Sequence, residues 1–190
     1  MRKAIFFDRD GTLLVEAGFI THPSVVTAYE FAYSAVRLAR QRGFLVIVVT
    51  NQSGIARGFL TEEELKDVHR SMEEIFAREG APIDAIYYCP HHPEGTVKHY
   101  RRICRCRKPS TGLGEQAIAN FEIDPRRSFM IGDKISDVIF GMQLGVRPCL
   151  VLTGYGAEEA QKLGEVGLGH VPVFQNVLEA VKWILQNEHG

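Results

Sequence analysis

The fold is decided by the stretch Ile5-Phe6-Phe7-Asp8-Arg9-Asp10-Gly11-Thr12, in which an apolar run ends in two carboxylates separated by one residue. Short apolar runs bounded by turn residues are typical of strands buried in a parallel sheet. The run predicts such a strand, with Asp8 at the carboxyl end, where open α/β sheets bind ligands. Asp8 and Asp10 then point in similar directions. Because Asp and Gly are also ordinary turn residues, the stretch alone is equally compatible with a polar turn.

The bulk composition indicates one soluble globular domain. The chain has 190 residues, 45% of them hydrophobic and 24% charged, so we predict a single domain over 1–190. A net charge of −1 argues against nucleic acid or an anionic membrane as a partner. No apolar run approaches the roughly 20 residues of a membrane helix, and the first residues do not resemble a signal peptide. We therefore expect a cytoplasmic protein, and we expect it to be a monomer.

Predicted strands and helices alternate along most of the chain. Apolar, β-branched runs predict strands over 5–7, 45–49, 85–88, 128–131, 149–152 and near 173. Helical spacing and capping residues predict helices over 30–42, from a capping box at 61–64 to about 78, and over 112–120, 136–144, 158–163 and 177–186. The segment 19–27 is predicted to be a loop. This alternation predicts an α/β fold, a doubly wound and mostly parallel sheet with helices on both faces.

Polar residues follow three of the predicted strands. Asp8, Thr50 and Asp133 each come directly after an apolar run, so they are expected to meet at one edge of the sheet. Carboxylate oxygens with a few waters are the ligands that Mg²⁺ prefers, usually together with a substrate phosphate. The carboxylates of Asp8, Asp10 and Asp133 therefore predict a magnesium site.

The same edge is equipped for a phosphoryl group. Thr50 offers a hydroxyl donor, Gly11 and Gly54 let backbone amides approach an anion, and Lys108 offers a cation. Phosphoryl transfer depends above all on charge neutralisation and in-line positioning. One aspartate can then act as the nucleophile and another as the acid and base. Asp137, one helical turn after Asp133, is expected to support the site from behind.

Four short motifs, in order, resemble those of the haloacid dehalogenase superfamily of phosphatases. They are Asp8-x-Asp10-Gly11-Thr12, Thr50-Asn51, Lys108-Pro109 and Gly132-Asp133-x-x-x-Asp137. The resemblance implies that Asp8 attacks phosphorus to form an aspartyl-phosphate and that Asp10 protonates the leaving alkoxide and then activates water. It implies that Thr50 and Lys108 hold the phosphoryl oxygens. Asp8, the backbone carbonyl of Asp10, and Asp133 would hold Mg²⁺.

A segment at about 89–109 is rich in Cys, His, Arg and Pro and has no periodicity. Its soft ligands are Cys89, His91, His92, Cys104 and Cys106. Three thiolates and one imidazole fit a tetrahedral structural zinc site, and on spacing alone either histidine can be the fourth ligand. The segment reads as too polar for a core strand. Because the loop ends at Lys108, zinc is expected to position that lysine.

The zinc-loop sequence narrows the resemblance to a subgroup, the heptose bisphosphate and histidinol-phosphate phosphatases. In that subgroup the matching zinc ligands are Cys89, His91, Cys104 and Cys106, and His92 is not a ligand. Members lack a large cap, and no insertion in this chain is long enough to form one, so short loops are expected to set specificity. The implied substrate contacts are Glu16, Ala17, Gly18, Phe19, Asn51, Gln52, Ser53, Arg107 and Lys134. Relatives usually have a Tyr where this chain has Phe19, which removes a hydroxyl.

The resemblance implies a Mg²⁺-dependent phosphomonoesterase that acts on a small phosphorylated sugar. The implied substrate is D-glycero-D-manno-heptose 1,7-bisphosphate, which would lose its C7 phosphate on the path to lipopolysaccharide core. The alternative is a histidinol-phosphate phosphatase. A zinc-stabilised binding module without catalysis is a third hypothesis, against which the intact motifs argue.

Three further features are interpreted structurally. Gly154-Tyr155-Gly156 follows a strand and is interpreted as a plain turn rather than a phosphate loop. Cys149 is interpreted as an inert core thiol. His69 is expected at the surface or with its hydrogen bonds satisfied.

Overall fold

The alternation of strands and helices is confirmed in a computed structural model, which describes residues 1–188. The strands are β1 (Ala4–Phe7), β2 (Leu45–Asn51), β3 (Ala85–Cys89), β4 (Phe129–Gly132), β5 (Arg147–Val151) and β6 (Val173–Phe174). The helices are α1 (Glu30–Gln41), α2 (Glu62–Arg78), α3 (Gly112–Phe121), α4 (Ile135–Leu144), α5 (Gly156–Lys162) and α6 (Val177–Asn187). Single 3₁₀ turns lie at Pro23–Val25, within the predicted loop, and at Pro125–Arg127.

The strands form one parallel sheet in the order β3-β2-β1-β4-β5-β6. The predicted doubly wound parallel sheet is therefore confirmed. The chain runs outward in one direction from β1 to β3 and then returns to the other side of β1, so the order reverses between β1 and β4. Ligands of such sheets bind at the carboxyl ends of the strands at this reversal. Asp8 follows β1 and Asp133 follows β4, so both lie at that point.

Helices cover both faces of the sheet, which explains why β1 has no polar alternation. Ile5 and Phe7 face the core packed by α1, α2 and α6. Ala4 and Phe6 face the opposite core, which α3 and α4 cover. All four side chains are fully buried. Burying a phenylalanine stabilises a fold by about 1.5–3 kcal/mol, so β1 anchors both layers.

Strands β2 and β3 extend further than their sequences predict. Thr50 pairs with Tyr88 and Asn51 pairs with Cys89, and this ladder continues the two strands into residues that look like turn and loop. The expectation that no residue of the segment 89–109 lies in a core strand is wrong for Cys89, which ends β3 and is fully buried. Parallel pairing overrides the polar local composition here.

Among residues 1–188, no helix combines the length and apolarity that crossing a membrane requires.

His69 lies in α2 and is buried, and its Nε2 has no hydrogen-bond partner within the described part of the chain. The expectation of a surface or satisfied histidine is therefore wrong. The ring packs edge-on against Tyr88, with the centroids 5.6 Å apart. Burial, with a contribution from the Arg9 charge, lowers the pKa of His69 from 6.5 to about 3. His69 is thus neutral throughout the physiological range.

We expect His69 to make the fold sensitive to acid. The unfolded chain takes up a proton at this residue near pH 6.5 and the native state only near pH 3, so stability is lost as the pH falls through that window. The loss is on the order of 2 kcal/mol at pH 5. The unfolding free energy, measured with urea, should differ less between pH 7 and pH 5 for His69→Phe than for the wild type. The exposed His170, changed to Phe, is the matched control, and an equal pH response of His69→Phe and wild type would contradict the assignment.

Candidate active site

Asp8 lies directly after β1, with 5% of its surface exposed. Its backbone N–H donates to the carbonyl of Ile131 on β4, which continues the sheet by one bond at 2.9 Å. Its Oδ1 lies 2.9 Å from the Nζ of Lys108. Burial alone would raise the pKa of Asp8, but the charges of Lys108 and Lys134 hold it below the ordinary value. Asp8 is therefore ionised, as a nucleophilic carboxylate must be.

Lys108 reaches the same place, as predicted, with 4% of its surface exposed. Its Nζ donates to Asp8 Oδ1 at 2.9 Å and to the carbonyl of Val49 at 2.7 Å, and it lies 2.7 Å from Asp137 Oδ1. Burial would lower the pKa of Lys108, yet Asp137 and Asp8 raise it above the ordinary value. Lys108 is thus a fixed cation beside the candidate nucleophile.

The Asn51 side chain binds both backbone polar groups of Lys108, its N–H and its carbonyl. Its Nδ2 donates to the Lys108 carbonyl and its Oδ1 accepts from the Lys108 N–H, each at 3.0 Å. We expected Asn51 to contact substrate, and it does line the cleft described below. Both ends of its amide are nevertheless already used, so its first role is to fix the position of Lys108.

Asp133 offers an oxygen suited to a cation. Its Oδ2 accepts from the backbone N–H of Tyr155 at 2.9 Å, whereas the buried Oδ1 has no hydrogen-bond partner among residues 1–188. Asp8, Asp133 and Asp137 bring carboxylate oxygens within 4.8 Å of one another. Burial and the charge of Asp8 raise the pKa of Asp133 from 3.8 to about 8, as expected where two carboxylates share a site without a cation. The donor set fits a hard divalent ion such as Mg²⁺.

Two glycines, Gly11 and Gly154, lie close to the Asp133 carboxylate. A Cβ on Gly11 or on Gly154 would lie 2.3 Å from Asp133 Oδ2, and both residues have positive φ, +78° and +57°. The hydroxyl of Thr153 also donates to the carbonyl of Gly11 at 2.6 Å, which ties the two loops together. The loops after β1 and β5 can therefore approach each other and Asp133 only because these two positions carry no side chain.

Gly11→Ala is expected to displace Asp133 and to lower kcat/KM at least about 100-fold, because a misplacement of about 1 Å in an active site can cost that much. The midpoint for Mg²⁺ activation should rise as well. Gly167→Ala is the matched control: Gly167 has φ of +76° but no heavy atom within 4 Å of its Cβ position, so it carries the same backbone strain without a clash. An equal loss of kcat/KM in the two variants would show that backbone strain, and not the clash with Asp133, lowers the activity.

Asp10 is held by two neighbours that lie away from solvent. Arg9 is fully buried and forms a fork, with Nε 3.0 Å from Asp10 Oδ1 and Nη2 2.9 Å from Asp10 Oδ2. Gln52 Nε2 donates to Asp10 Oδ2 and to the hydroxyl of Thr50, each at 2.8 Å. The sequence did not single out Arg9, although a basic residue between two motif carboxylates was a usable signal.

A cleft of about 390 Å³ opens above these groups. Of the predicted substrate contacts, only Ala17 does not line it, and Ala17 is exposed in the same loop. Sequence reasoning missed Ser136 and Tyr155. The lining residues are Asp10, Glu16, Gly18, Phe19, Asn51, Gln52, Ser53, Arg107, Lys108, Lys134, Ser136 and Tyr155. The interpretation of Gly154-Tyr155-Gly156 as a plain turn is incomplete, because its backbone holds Asp133.

Lys134 forms one wall of the cleft. Its Nζ lies 3.8 Å from Glu16 Oε2, 3.8 Å from Asp133 Oδ1 and 4.8 Å from the centroid of the Tyr155 ring. Burial would lower the pKa of Lys134, but the surrounding carboxylates, with Asp8 foremost, raise it. The cleft therefore presents a second fixed cation to an anionic ligand.

The rim of the cleft at Phe19 is aromatic. The rings of Phe19 and Phe59 meet edge-to-face with centroids 4.7 Å apart, and both are about half exposed. Gly54 lies beneath them, since a Cβ there would be 3.1 Å from Phe19. This rim offers an apolar surface and no hydroxyl.

The predicted zinc ligands converge. Sγ of Cys106 lies 3.0 Å from Cys89, 3.2 Å from Cys104 and 3.2 Å from Nδ1 of His91. The four thiols of the chain, including the core thiol of Cys149, are free. Burial raises the pKa of the Cys89 thiol, so a cation is needed to keep it as a thiolate. Three sulfurs and one nitrogen fit Zn²⁺, and Nδ1 is the ring nitrogen of His91 that lies beside Cys89 and Cys106.

The loop that carries these ligands leads directly into the cleft. Arg107 is half buried, and its guanidinium donates to the carbonyl of His91 at 3.2 Å. The Arg107 side chain lines the cleft beside Lys108. The chain runs directly from Cys106 to Arg107 and Lys108, so the position of the Cys106 sulfur constrains both cationic side chains.

The strand order, the three aspartates and the buried lysine define a phosphohydrolase of the haloacid-dehalogenase-like class. A family model described as HAD-hydrolase-like matches residues 105–180. The D-glycero-β-D-manno-heptose-1,7-bisphosphate 7-phosphatase of Pasteurella multocida is 41% identical over 155 residues, 81% of this chain and 84% of its own. That of Chlorobaculum tepidum, named without an anomer, is 37% identical over 175 residues, 89% and 88% of the two chains.

A solved structure agrees in fold over nearly the full length. The D,D-heptose 1,7-bisphosphate phosphatase of B. bronchiseptica, complexed with magnesium and phosphate, has a TM-score of 0.84 and 30% identity over 97% of this chain and 99% of its own. The chain belongs to the family of D-glycero-D-manno-heptose-1,7-bisphosphate 7-phosphatases, as the motifs predict.

Proposed function

We propose that this protein removes the C7 phosphate of D-glycero-D-manno-heptose 1,7-bisphosphate, a reaction on the path to the nucleotide-activated heptose of lipopolysaccharide core. The observation that carries the proposal is the joint placement of Asp8, Lys108 and Asp133 at the switch point of the sheet. The names of relatives at 37–42% identity support the substrate.

The chemistry follows from the side chains. A carboxylate oxygen of Asp8 attacks phosphorus as the bond to the C7 oxygen breaks, and Asp10 gives its proton to that oxygen. Asp10 then takes a proton from the water that hydrolyses the aspartyl-phosphate. Lys108 and the Thr50 hydroxyl hold phosphoryl oxygens throughout. Asp8, the Asp10 carbonyl and Asp133 would hold Mg²⁺, which supplies charge neutralisation when bound.

The zinc cluster is proposed to be structural. Four protein ligands complete a tetrahedral shell and leave no open position for a reacting group. Its contribution would be to hold Arg107 and Lys108. That the protein works as a cytoplasmic monomer stays a prediction, which cell fractionation and size-exclusion chromatography test.

Comparing kcat/KM for the heptose bisphosphate with that for histidinol phosphate tests the substrate. Arg107 and Lys134 offer charge-assisted contacts to groups beyond the reacting phosphate, and one such bond contributes about 1.5–3 kcal/mol. We therefore expect a preference for the heptose bisphosphate of at least about tenfold. Arg107→Gln should reduce this preference, because it removes a charge that only the bisphosphate uses. Faster turnover of histidinol phosphate would favour the alternative function.

A further inference from the structure

Asp10 and Thr50, two groups of the proposed reaction, are joined by a hydrogen-bonded network through Arg9 and Gln52, which have no part in the steps given above. Arg9 Nη2 donates to Gln52 Oε1 at 2.9 Å as well as to Asp10. Gln52 Nε2 then donates to both Asp10 and Thr50. Arg9 is 0% exposed and Gln52 is 6% exposed, so water does not compete for these bonds.

The guanidinium determines the orientation of the Gln52 amide. Arginine has only donors, so Gln52 must turn Oε1 toward Arg9. Both hydrogens of its Nε2 are then directed to Asp10 and Thr50. Because the Thr50 oxygen accepts from Gln52, the Thr50 hydroxyl proton is left for another acceptor, which in the small pocket that Thr50 and Asp8 line would be a phosphoryl oxygen.

The network also distinguishes the two oxygens of Asp10. Oδ2 accepts from Arg9 and from Gln52, which uses both of its lone pairs. Among residues 1–188, Oδ1 accepts only from Arg9 Nε, so it keeps one free position. The proton that Asp10 transfers is therefore carried on Oδ1.

Arg9 is not fully compensated in its buried position. Its Nη1 has no hydrogen-bond partner in the described part of the chain, and its ion pair with Asp10 is its only one there. An unpaired buried donor costs stability. Such a cost is tolerated mainly where a residue serves function rather than stability.

We propose that Arg9 and Gln52 are positioning residues, which hold Asp10 Oδ1 in place for protonation of the leaving oxygen and the Thr50 hydroxyl in place for a phosphoryl oxygen. The proposal rests on the phosphatase function above. In the step concerned, Asp8 forms its bond to phosphorus, the bond to the leaving oxygen breaks, and the proton of Asp10 Oδ1 moves to that oxygen.

Leaving-group dependence separates positioning from a general structural effect. A sugar alkoxide leaves poorly without a proton, whereas p-nitrophenolate leaves without one. Arg9→Lys keeps the charge but loses the fork. It is expected to lower kcat/KM for the sugar bisphosphate at least about tenfold and that for p-nitrophenyl phosphate less than about threefold. The ratio kcat/KM excludes the later hydrolysis step, because the leaving group has already departed.

Two more variants complete the test. Arg9→Lys in an Asp10→Asn background should cause a much smaller further loss on the sugar bisphosphate, because the part of its effect that acts through Asp10 is already gone. Gln52→Met should lower kcat on both substrates, since it also releases Thr50, with the larger loss on the sugar. Gln116→Met, on the exposed face of α3, is the control for the substitution.

Equal losses of Arg9→Lys on the two substrates, or an undiminished loss in the Asp10→Asn background, would overturn the proposal. Failure of the proposed function is seen separately, in the wild type. The wild type would then leave the heptose bisphosphate uncleaved, while its turnover of p-nitrophenyl phosphate would still show that Asp8 is reactive.

Discussion

Replacing Asp8 by asparagine is expected to abolish the release of inorganic phosphate while the fold stays in place. The amide has nearly the same shape but cannot attack phosphorus, so we expect kcat to fall at least about 10⁴-fold. The fold should tolerate the change, because Asp8, Asp133 and Asp137 crowd three carboxylates within 4.8 Å. Removing the charge takes one partner from Lys108 but relieves repulsion with Asp133 and Asp137, so the unfolding free energy should change little.

The measurements are phosphate release, urea unfolding and labelling of the protein by substrate phosphate. Asp67→Asn, at a half-exposed aspartate on α2 that pairs with Arg70, is the control for the substitution. Turnover of Asp8→Asn near the wild-type rate would exclude Asp8 as the nucleophile. Retained labelling with lost release would instead place the defect in the second step.

Replacing Cys106 by serine is expected to release zinc and to lower both stability and activity. Cys106 is the sulfur that lies nearest to the other ligands and directly precedes Arg107 and Lys108. Loss of a structural zinc should cost at least about 3 kcal/mol of unfolding free energy. Because Lys108 neutralises Asp8, kcat/KM should fall at least about 100-fold.

Cys149→Ala is the matched control for the loss of a thiol. Cys149 is a buried thiol in β5 and lies outside the zinc group, so its variant should keep the full zinc content. Metal analysis of the wild type comes first, and a wild-type protein without zinc would refute the structural assignment. Zinc loss without loss of activity would show that Asn51 alone is enough to hold Lys108.

The elements that position the site could be predicted because their signals are local. The run 5–7 is apolar throughout since both faces of β1 are covered, and α2 begins at a capping box in which Thr61 and Glu64 bond each other. The polar residues after β1, β2 and β4 could be placed together because parallel strands end at one edge. The candidate zinc ligands share one short segment, so the cluster could be predicted from their residue types, whereas their spacing left His91 and His92 as alternatives.

The supports of the site could not be predicted, because they depend on contacts between distant segments. Gln52 lies 43 residues from Arg9 and 42 from Asp10, and Tyr155 lies 22 residues from Asp133. The residue types asparagine and glutamine, and the backbone amide of a tyrosine, do not by themselves indicate a supporting role in a sequence. Asn51 was therefore predicted to contact substrate, whereas its amide is used on Lys108.

The contacts of Lys108 also bear on how the chain folds. Its partners lie 100 residues away at Asp8 and 57 residues away at Asn51. Contacts across such long loops form late, after local helices and neighbouring strands, because the entropy of closing the loop must first be overcome. Asp133 lies still further along the chain from Asp8 than Lys108 does, so a partly folded chain has assembled neither the carboxylate cluster nor the cation beside it. Catalytic competence is thus a stricter measure of complete folding than helix content is.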